Sequence, residues 1–286
     1  MLIDAHTHAW PIQDLATLNQ RLPLLDGAMD DADPHKWRLR HDGTIETLLK
    51  HEKAAGIDRF VLLPIASKPN KVPVLNRWVA SQAHKHNEII PFGTLAANSV
   101  RLQHDLQELI GLGHKGVKIH SLLQQLRMDS PEADHMFGAI ADANLPVVLD
   151  SMDLQRISLV KPHLAPIMQM GVPFQTNTEI IHRLARRFSH LTIVAAHLGC
   201  MYAWDLLGPL YDLDNVYFDL SYVSGLVPPE KATEIIHRKG ADRILFGTDA
   251  PWRSQQNVVA WFHELGLSTT ERKRIGADNF LEITGV

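Results

Sequence analysis

The sequence predicts an α/β fold, a (β/α)8 TIM barrel with one extended loop insertion after strand 1 and another after strand 5. Three observations predict it. Eight short apolar runs recur along the 286 residues, amphipathic stretches at helical spacing separate them, and ionisable residues stand at the C-terminal ends of five of those runs. A barrel of ~250 residues fits this length as one domain. Residues 1–286 read as that domain, without internal repeat, low-complexity tract or linker.

In chain order, Leu2 to His8 is the first strand, apolar at its start and then alternating. Thr44 to Ala55 is the first helical stretch and Arg59 to Ala66 the second strand. Pro73 to His86 leads to the third strand, Ile89 to Leu95. Leu102 to Leu112, Gly116 to His120, Pro131 to Ala143 and Pro146 to Asp150 continue the alternation, with Gly or Asn closing several helices. Glu179 to Phe188 precedes the sixth strand, Thr192 to His197, and Val216 to Leu220 is the seventh. Glu230 to Lys239 then leads to the eighth strand, Ile244 to Asp249, and Asn257 to Leu265 follows it. The pattern is read as a helix after each strand, which closes a parallel barrel more naturally than an open sheet because right-handed crossovers all wind one way. A doubly wound open sheet would need a Gly-rich first turn, and His6-Thr7-His8-Ala9-Trp10-Pro11 is nothing like one.

Two connections are too long for plain loops, Ala9 to Gly43 and Ser151 to Thr178. Both leave the C-terminal ends of their strands, where barrel enzymes place their sites, and so are expected to cover the mouth. In the first, Trp10 and Trp37 either wall a pocket or pack the insertion on the rim, and Asp30, Asp31 and Asp33 read as a solvated turn.

Composition narrows the classes of function. A net charge of -4 with interspersed signs argues against a nucleic-acid binder. With neither a basic-then-apolar leader nor an apolar run approaching ~18 residues, the chain is expected to be cytoplasmic and off the membrane. Cys200 is the only cysteine, so no disulfide forms within the chain, and a small buried thiol is the expected reading. The histidines at 84, 86, 104, 114, 135, 182, 190, 237 and 263 fall in or beside helical patterns and read as surface or cap residues.

The strand ends carry the chemistry. His6 and His8 alternate on the first strand, so with Asp4 they are expected to share one face, and two imidazoles on a rigid strand suit a divalent metal. Lys118 and His120 end the fourth strand, Asp150 the fifth, His197 the sixth and Asp249 the eighth. Barrel interiors favour branched apolar residues, so this convergence is hard to explain as core packing.

These segments together resemble the amidohydrolase superfamily, in the amidohydrolase-related branch that also holds nonoxidative decarboxylases of aminocarboxymuconate-semialdehyde and hydroxybenzoates. The resemblance rests on Asp4-Ala5-His6-Thr7-His8, Gly116-Val117-Lys118-Ile119-His120, Ala196-His197-Leu198-Gly199, Phe218-Asp219-Leu220-Ser221 and Leu245-Phe246-Gly247-Thr248-Asp249-Ala250-Pro251-Trp252, with a closing Asp278-Asn279-Phe280-Leu281. It implies one divalent metal ion, zinc first and manganese second, held by His6, His8 and Asp249. Asp249 would double as the base for the metal-bound water. His197 would complete the shell or hydrogen-bond that water. The departure is at strand 5, where the family usually has a histidine and this chain has Asp150. Asp150 could ligate the metal, hold another ligand, or mark a decayed site, and His120 could compensate. Elsewhere in the superfamily a strand-4 lysine is carboxylated and bridges two metals, but the run from Lys118 to Gln124 looks more like the mononuclear branch. There Lys118 and His120 would line the substrate pocket, with Trp252 and Arg253 on the strand-8 loop as further pocket residues.

The activity implied first is a metal-dependent hydrolase acting on a small amide, ester or lactone. The alternatives are nonoxidative decarboxylation of a small unsaturated or aromatic acid, a metal-independent lactonase working through the strand-8 aspartate, for whose acidic substrate the loops offer mainly Arg127, Arg156 and Arg253, and a catalytically silent barrel. A small-molecule substrate is the expected partner, and a homodimer is compatible with the family.

Overall fold

The computed structural model describes residues 1–15 and 37–286, so Asp30, Asp31 and Asp33 lie outside the described residues. Eight parallel strands form the barrel wall: β1 (Ile3–Thr7), β2 (Arg59–Leu62), β3 in two segments (Ile89–Pro91 and Gly93–Thr94), β4 (Val117–Ile119), β5 (Val147–Leu149), β6 (Ile193–Ala195), β7 (Val216–Asp219) and β8 (Ile244–Leu245). The first segment of β3 pairs with β2 and the second with β4, and neighbours follow in sequence order to β8. Closure comes where the extended chain after β8 meets β1. Ala5 N–H donates to Phe246 O (2.9 Å), Asp249 N–H to His6 O (2.8 Å) and His8 N–H to Ala250 O (2.7 Å).

Strands buried on both faces read as continuous apolar runs, as in Val147-Val148-Leu149 and Ile193-Val194-Ala195. Ile3, Ala5, Val61, Leu63, Ile90, Phe92, Val148, Val194, Tyr217 and Leu245 cluster in the barrel interior, together with Ala277 and Phe280 of the C-terminal segment. Asn279 fastens that segment by donating to Ala241 O (2.8 Å) and Ile244 O (2.7 Å).

All seven predicted helical stretches form helices, at Ile45–Ala54, Val72–Lys85, Leu102–Gly111, Pro131–Asp142, Thr178–Arg187, Pro229–Lys239 and Gln255–Glu264. Thr44, Ser130, Asn177 and Ser254 cap four of them by accepting first-turn N–H groups. The expectation of a helix after every strand fails after β6, where the chain makes only a short 3-10 turn, Gly208–Leu210. Its carbonyls are satisfied by a side chain instead: Lys239 Nζ donates to Leu210 O (2.8 Å), Tyr211 O (3.2 Å) and Leu213 O (2.8 Å). The connection after β5 folds into helices Leu154–Val160 and Ala165–Gly171, packed with Tyr202 and Tyr222 and, at their edge, Trp37 and Trp252. Among the described residues no helix is long and apolar enough to cross a membrane.

Helix Ile45–Ala54 buries a charge-capable residue against the wall. Glu52 and Gln255 are both buried, and Gln255 Nε2 donates to Glu52 Oε1 (3.2 Å), while Glu52 Oε2 and Gln255 Oε1 lack partners. Burial, and then the nearby Asp4 carboxylate, push the Glu52 carboxyl well above its usual range. A carboxyl raised on folding contributes stability fully below its unfolded value and loses it as pH rises towards and through the folded value. Glu52→Gln removes that loss, so it is expected to match wild type near pH ~4 and to exceed it by about 1–3 kcal/mol near pH ~9. Thermal denaturation across that range checks this, and identical pH slopes in the two proteins would refute it.

Candidate metal centre at the barrel mouth

β1 does not keep a simple alternation. Its register with β2 shifts between Asp4 and Thr7. Ile3 and Ala5 pack in the interior, Asp4 turns away from the site, and His6 and His8 turn into the mouth. Asp4 accepts from His6 N–H (3.0 Å), Thr248 N–H (2.9 Å) and the Thr248 hydroxyl, fastening β1 to the chain after β8. The expectation that Asp4, His6 and His8 share one face is therefore corrected, and the irregularity in the strand is the reason.

His6, His8 and Asp249 bring one donor atom each within 4.8 Å of one another, and all three are buried. His8 Nε2 lies 3.3 Å and His6 Nε2 3.7 Å from Asp249 Oδ1. The opposite ring nitrogens face acceptors: His6 Nδ1 lies 2.7 Å from Asp219 Oδ2, and His8 Nδ1 lies 2.9 Å from Leu63 O. That arrangement puts the protons on Nδ1 and leaves the Nε2 lone pairs aimed at Asp249, the donor set a divalent cation requires. Lys118 Nζ donates to His6 Nε2 at 3.0 Å, in keeping with a lone pair there. Burial, and then the Lys118 charge, lower the His6 pKa to about 4, which keeps the ring neutral as a ligand must be. Burial opposes ionisation of Asp249, but His8, His6 and His197 outweigh it and hold its carboxyl below the usual range.

The local backbone is specialised. Asp249 (φ 64°) and His197 (φ 60°) are both left-handed, at about 1–3 kcal/mol each. Gly247 makes room: a Cβ there would lie 3.2 Å from that of His6.

A second group adjoins the first. Asp150 Oδ1 lies 3.2 Å from His197 Nε2 and 4.0 Å from Lys118 Nζ, and Asp150 Oδ2 lies 3.5 Å from His120 Nε2. Burial disfavours the Asp150 carboxylate, yet His120, His197 and Lys118 hold its carboxyl well below the usual range. Burial likewise disfavours the charged His197 ring, but Asp150 outweighs it and raises the His197 pKa. Burial lowers both Lys118 and His120, the latter to about 4. Thus His6, His8 and Asp249 converge without Asp150 or His120, which stand with His197 and Lys118.

Around this floor, Trp10 stacks on His8 (ring centroids 6.2 Å) and meets Trp252 edge-on (6.5 Å). Arg253 is buried, donates to Tyr222 O (3.1 Å) and lies 4.0 Å over the Tyr222 ring. The Lys161 ammonium lies 4.9 Å over the Trp37 ring. Burial pushes the Cys200 thiol up, away from nucleophile chemistry. His114, expected as a surface or cap residue, is buried with Nε2 3.1 Å from Asn76 O, so the surface reading fails. A second donor cluster on a helix, His104, Asp105 and Glu108, is occupied by arginine, with Arg77 Nε 2.6 Å from Glu108 Oε1.

Three residues of the site had no role in the sequence reading: Asp219, Ser221 and Thr248. Their signal was present in Phe218-Asp219-Leu220-Ser221 and Gly247-Thr248-Asp249, but a polar residue beside a ligand does not announce its partner.

In a closed parallel barrel, His6 of β1, His8 just beyond it and Asp249 after β8 meet at the C-terminal mouth as a candidate metal site of a barrel enzyme. The amidohydrolase family model matches residues 3–281, and the chain belongs to that family. It is 34% identical over 84 residues to gamma-resorcylate decarboxylase of Polaromonas sp. strain JS666, a match over 27% of this chain that spans only 26% of that curated relative's length. Among solved structures, 5-carboxyvanillate decarboxylase of Sphingomonas paucimobilis aligns with a TM-score of 0.74 and 15% identity over 100% of this chain and 99% of that one. A dihydroxybenzoic acid decarboxylase of Polaromonas sp. JS666, solved with bound manganese and 2-nitroresorcinol, aligns with a TM-score of 0.74 and 17% identity over 99% and 96%. At these identities the structural neighbours establish the shared barrel.

Proposed function

We propose that this chain is a metal-dependent, nonoxidative decarboxylase of a small hydroxylated aromatic or unsaturated carboxylic acid. The order of the two activities implied by the sequence is thereby reversed, with ester, amide or lactone hydrolysis second. The observation that carries the proposal is His197. Its Nδ1 lies 3.2 Å from Ser221 O and its Nε2 lies 3.2 Å from Asp150 Oδ1, so both nitrogens face acceptors and the ring holds two protons. Decarboxylation needs a proton delivered to carbon, and a ring that already holds two protons cannot serve as the base for an attacking water. The decarboxylases among its relatives, one of them holding manganese, lend the same support.

A divalent ion held by His6, His8 and Asp249, manganese or zinc, would supply Lewis acidity towards the substrate's oxygen atoms. The rest falls to side chains. Lys118, buried on the same floor, is placed to donate hydrogen bonds to the substrate's anionic oxygens, and Trp10 and Trp252 offer an aromatic wall beside His8. The bond from the ring or vinyl carbon to the carboxylate breaks, its electron pair stays on that carbon, and the proton shared by His197 Nε2 and Asp150 Oδ1 takes the vacated position as carbon dioxide leaves.

The metal-independent lactonase reading finds little support, since it calls for arginines gathered around an acidic substrate. Arg127 pairs with Asp129 (2.9 Å) and Arg156 with Asp205 (2.6 Å) at the rim, and Arg253 is held by Tyr222.

Incubation of manganese-loaded protein with a panel of carboxyl-labelled hydroxybenzoates and unsaturated acids in heavy water tests the proposal. The expected result is labelled carbon dioxide with one deuterium at the former carboxyl position. Turnover of esters or lactones with no carbon dioxide from any acid would overturn it.

A further inference from the structure

Asp219 ends β7, is fully buried, and uses its two oxygens for different residues. Oδ2 faces His6 Nδ1 at 2.7 Å. Oδ1 accepts from His197 N–H (2.9 Å), Ser221 N–H (3.1 Å) and the Ser221 hydroxyl, and that hydroxyl oxygen lies 2.9 Å from His197 Nδ1. A carboxylate only accepts, so the oxygen facing His6 requires a proton on Nδ1 and leaves the lone pair on Nε2, the atom turned towards Asp249. The other oxygen anchors the N–H of His197 at its left-handed residue and, through Ser221, the Nδ1 edge of the same ring.

We propose that Asp219 is the positioning residue for both histidines: one carboxylate fixes the tautomer of His6 and the backbone and ring setting of His197. This rests on reading His6 as a metal ligand and His197 as the proton carrier, but its consequences are measurable without turnover. Asp219→Asn separates the two roles. The three donors around Oδ1 demand an oxygen, so the new amide nitrogen faces His6 Nδ1 and forces the proton of His6 onto Nε2. The atom that should donate to a metal then carries a hydrogen, while the anchoring of His197 survives.

The expected result is that Asp219→Asn, folded by circular dichroism, binds manganese about 10–100-fold more weakly than wild type in chelator competition. In long-range proton–nitrogen spectra of the metal-free protein, His6 shifts from the Nδ1–H to the Nε2–H tautomer. Ser221→Ala is expected to keep manganese affinity and lower kcat with KM unchanged, because the lost hydroxyl touches His197 and only the Asp219 oxygen that does not face His6. Manganese affinity equal to wild type with His6 still protonated at Nδ1 would overturn the proposal. Were Asp219→Asn not to fold, the wild-type spectrum decides alone, since a His6 carrying its proton at Nε2 refutes the assignment. Wild-type protein that takes up no manganese would sink the metal reading, and the His6 tautomer would still settle the role of Asp219.

Discussion

Asp249→Asn is expected to leave a folded protein that retains no metal and releases carbon dioxide at least about a thousandfold more slowly. Asn is among the residues that tolerate a left-handed backbone, so the φ of 64° at this position is kept. The charge is not. The new amide would also face His8 Nε2, 3.3 Å from the present Oδ1, and His6 Nε2 at 3.7 Å, and can donate a hydrogen to either lone pair. A missing anionic ligand and blocked imidazoles act together, so the effect exceeds that of a lost hydrogen bond. Elemental analysis and turnover on the same preparation check it. Full metal content in the variant would remove Asp249 from the ligand set.

Asp150→Asn is expected to behave in the opposite way with respect to metal. Asp150 lies against His197, His120 and Lys118, outside the convergence of His6, His8 and Asp249, so metal content stays at the wild-type level while kcat falls by about a hundredfold or more. The pH profile gives a second readout. Asp150 raises the His197 pKa against the effect of burial. A proton carrier raised in this way is fully loaded below its pKa and is emptied as pH rises through it, so the alkaline limb of activity moves to lower pH when the carboxylate is removed. Loss of metal from Asp150→Ala, with wild type loaded, would instead make Asp150 the strand-5 ligand.

The barrel was legible because its strands and helices differ in period, and β4 to β7 carry apolar runs too short and too branched to be helices. What the period could not reveal was local. The stretch after β6 has no helical spacing, and its backbone is satisfied by Lys239 from a distant helix. The turn of Asp4 away from His6 depends on a register irregularity that strict alternation conceals. At the site, His6, His8 and Asp249 were legible by residue type and position at strand ends. Asp219 was visible only as a letter in a motif, because its partner His6 stands 213 residues away and the carboxylate itself never faces the open mouth.

The convergence of β1 with the chain after β8 also sets an order in time. Asp4 and Thr248, whose contact closes the seam beneath the candidate metal centre, are 244 residues apart in sequence. Contacts of that separation carry a large loop-closure cost unless local structure has already shortened the chain between them. During synthesis His6 and His8 emerge early, while Asp249 arrives only when nearly the whole barrel has been made. A nascent or truncated chain can therefore carry two exposed imidazoles but not the centre, and tight metal retention becomes a report that the ring has shut.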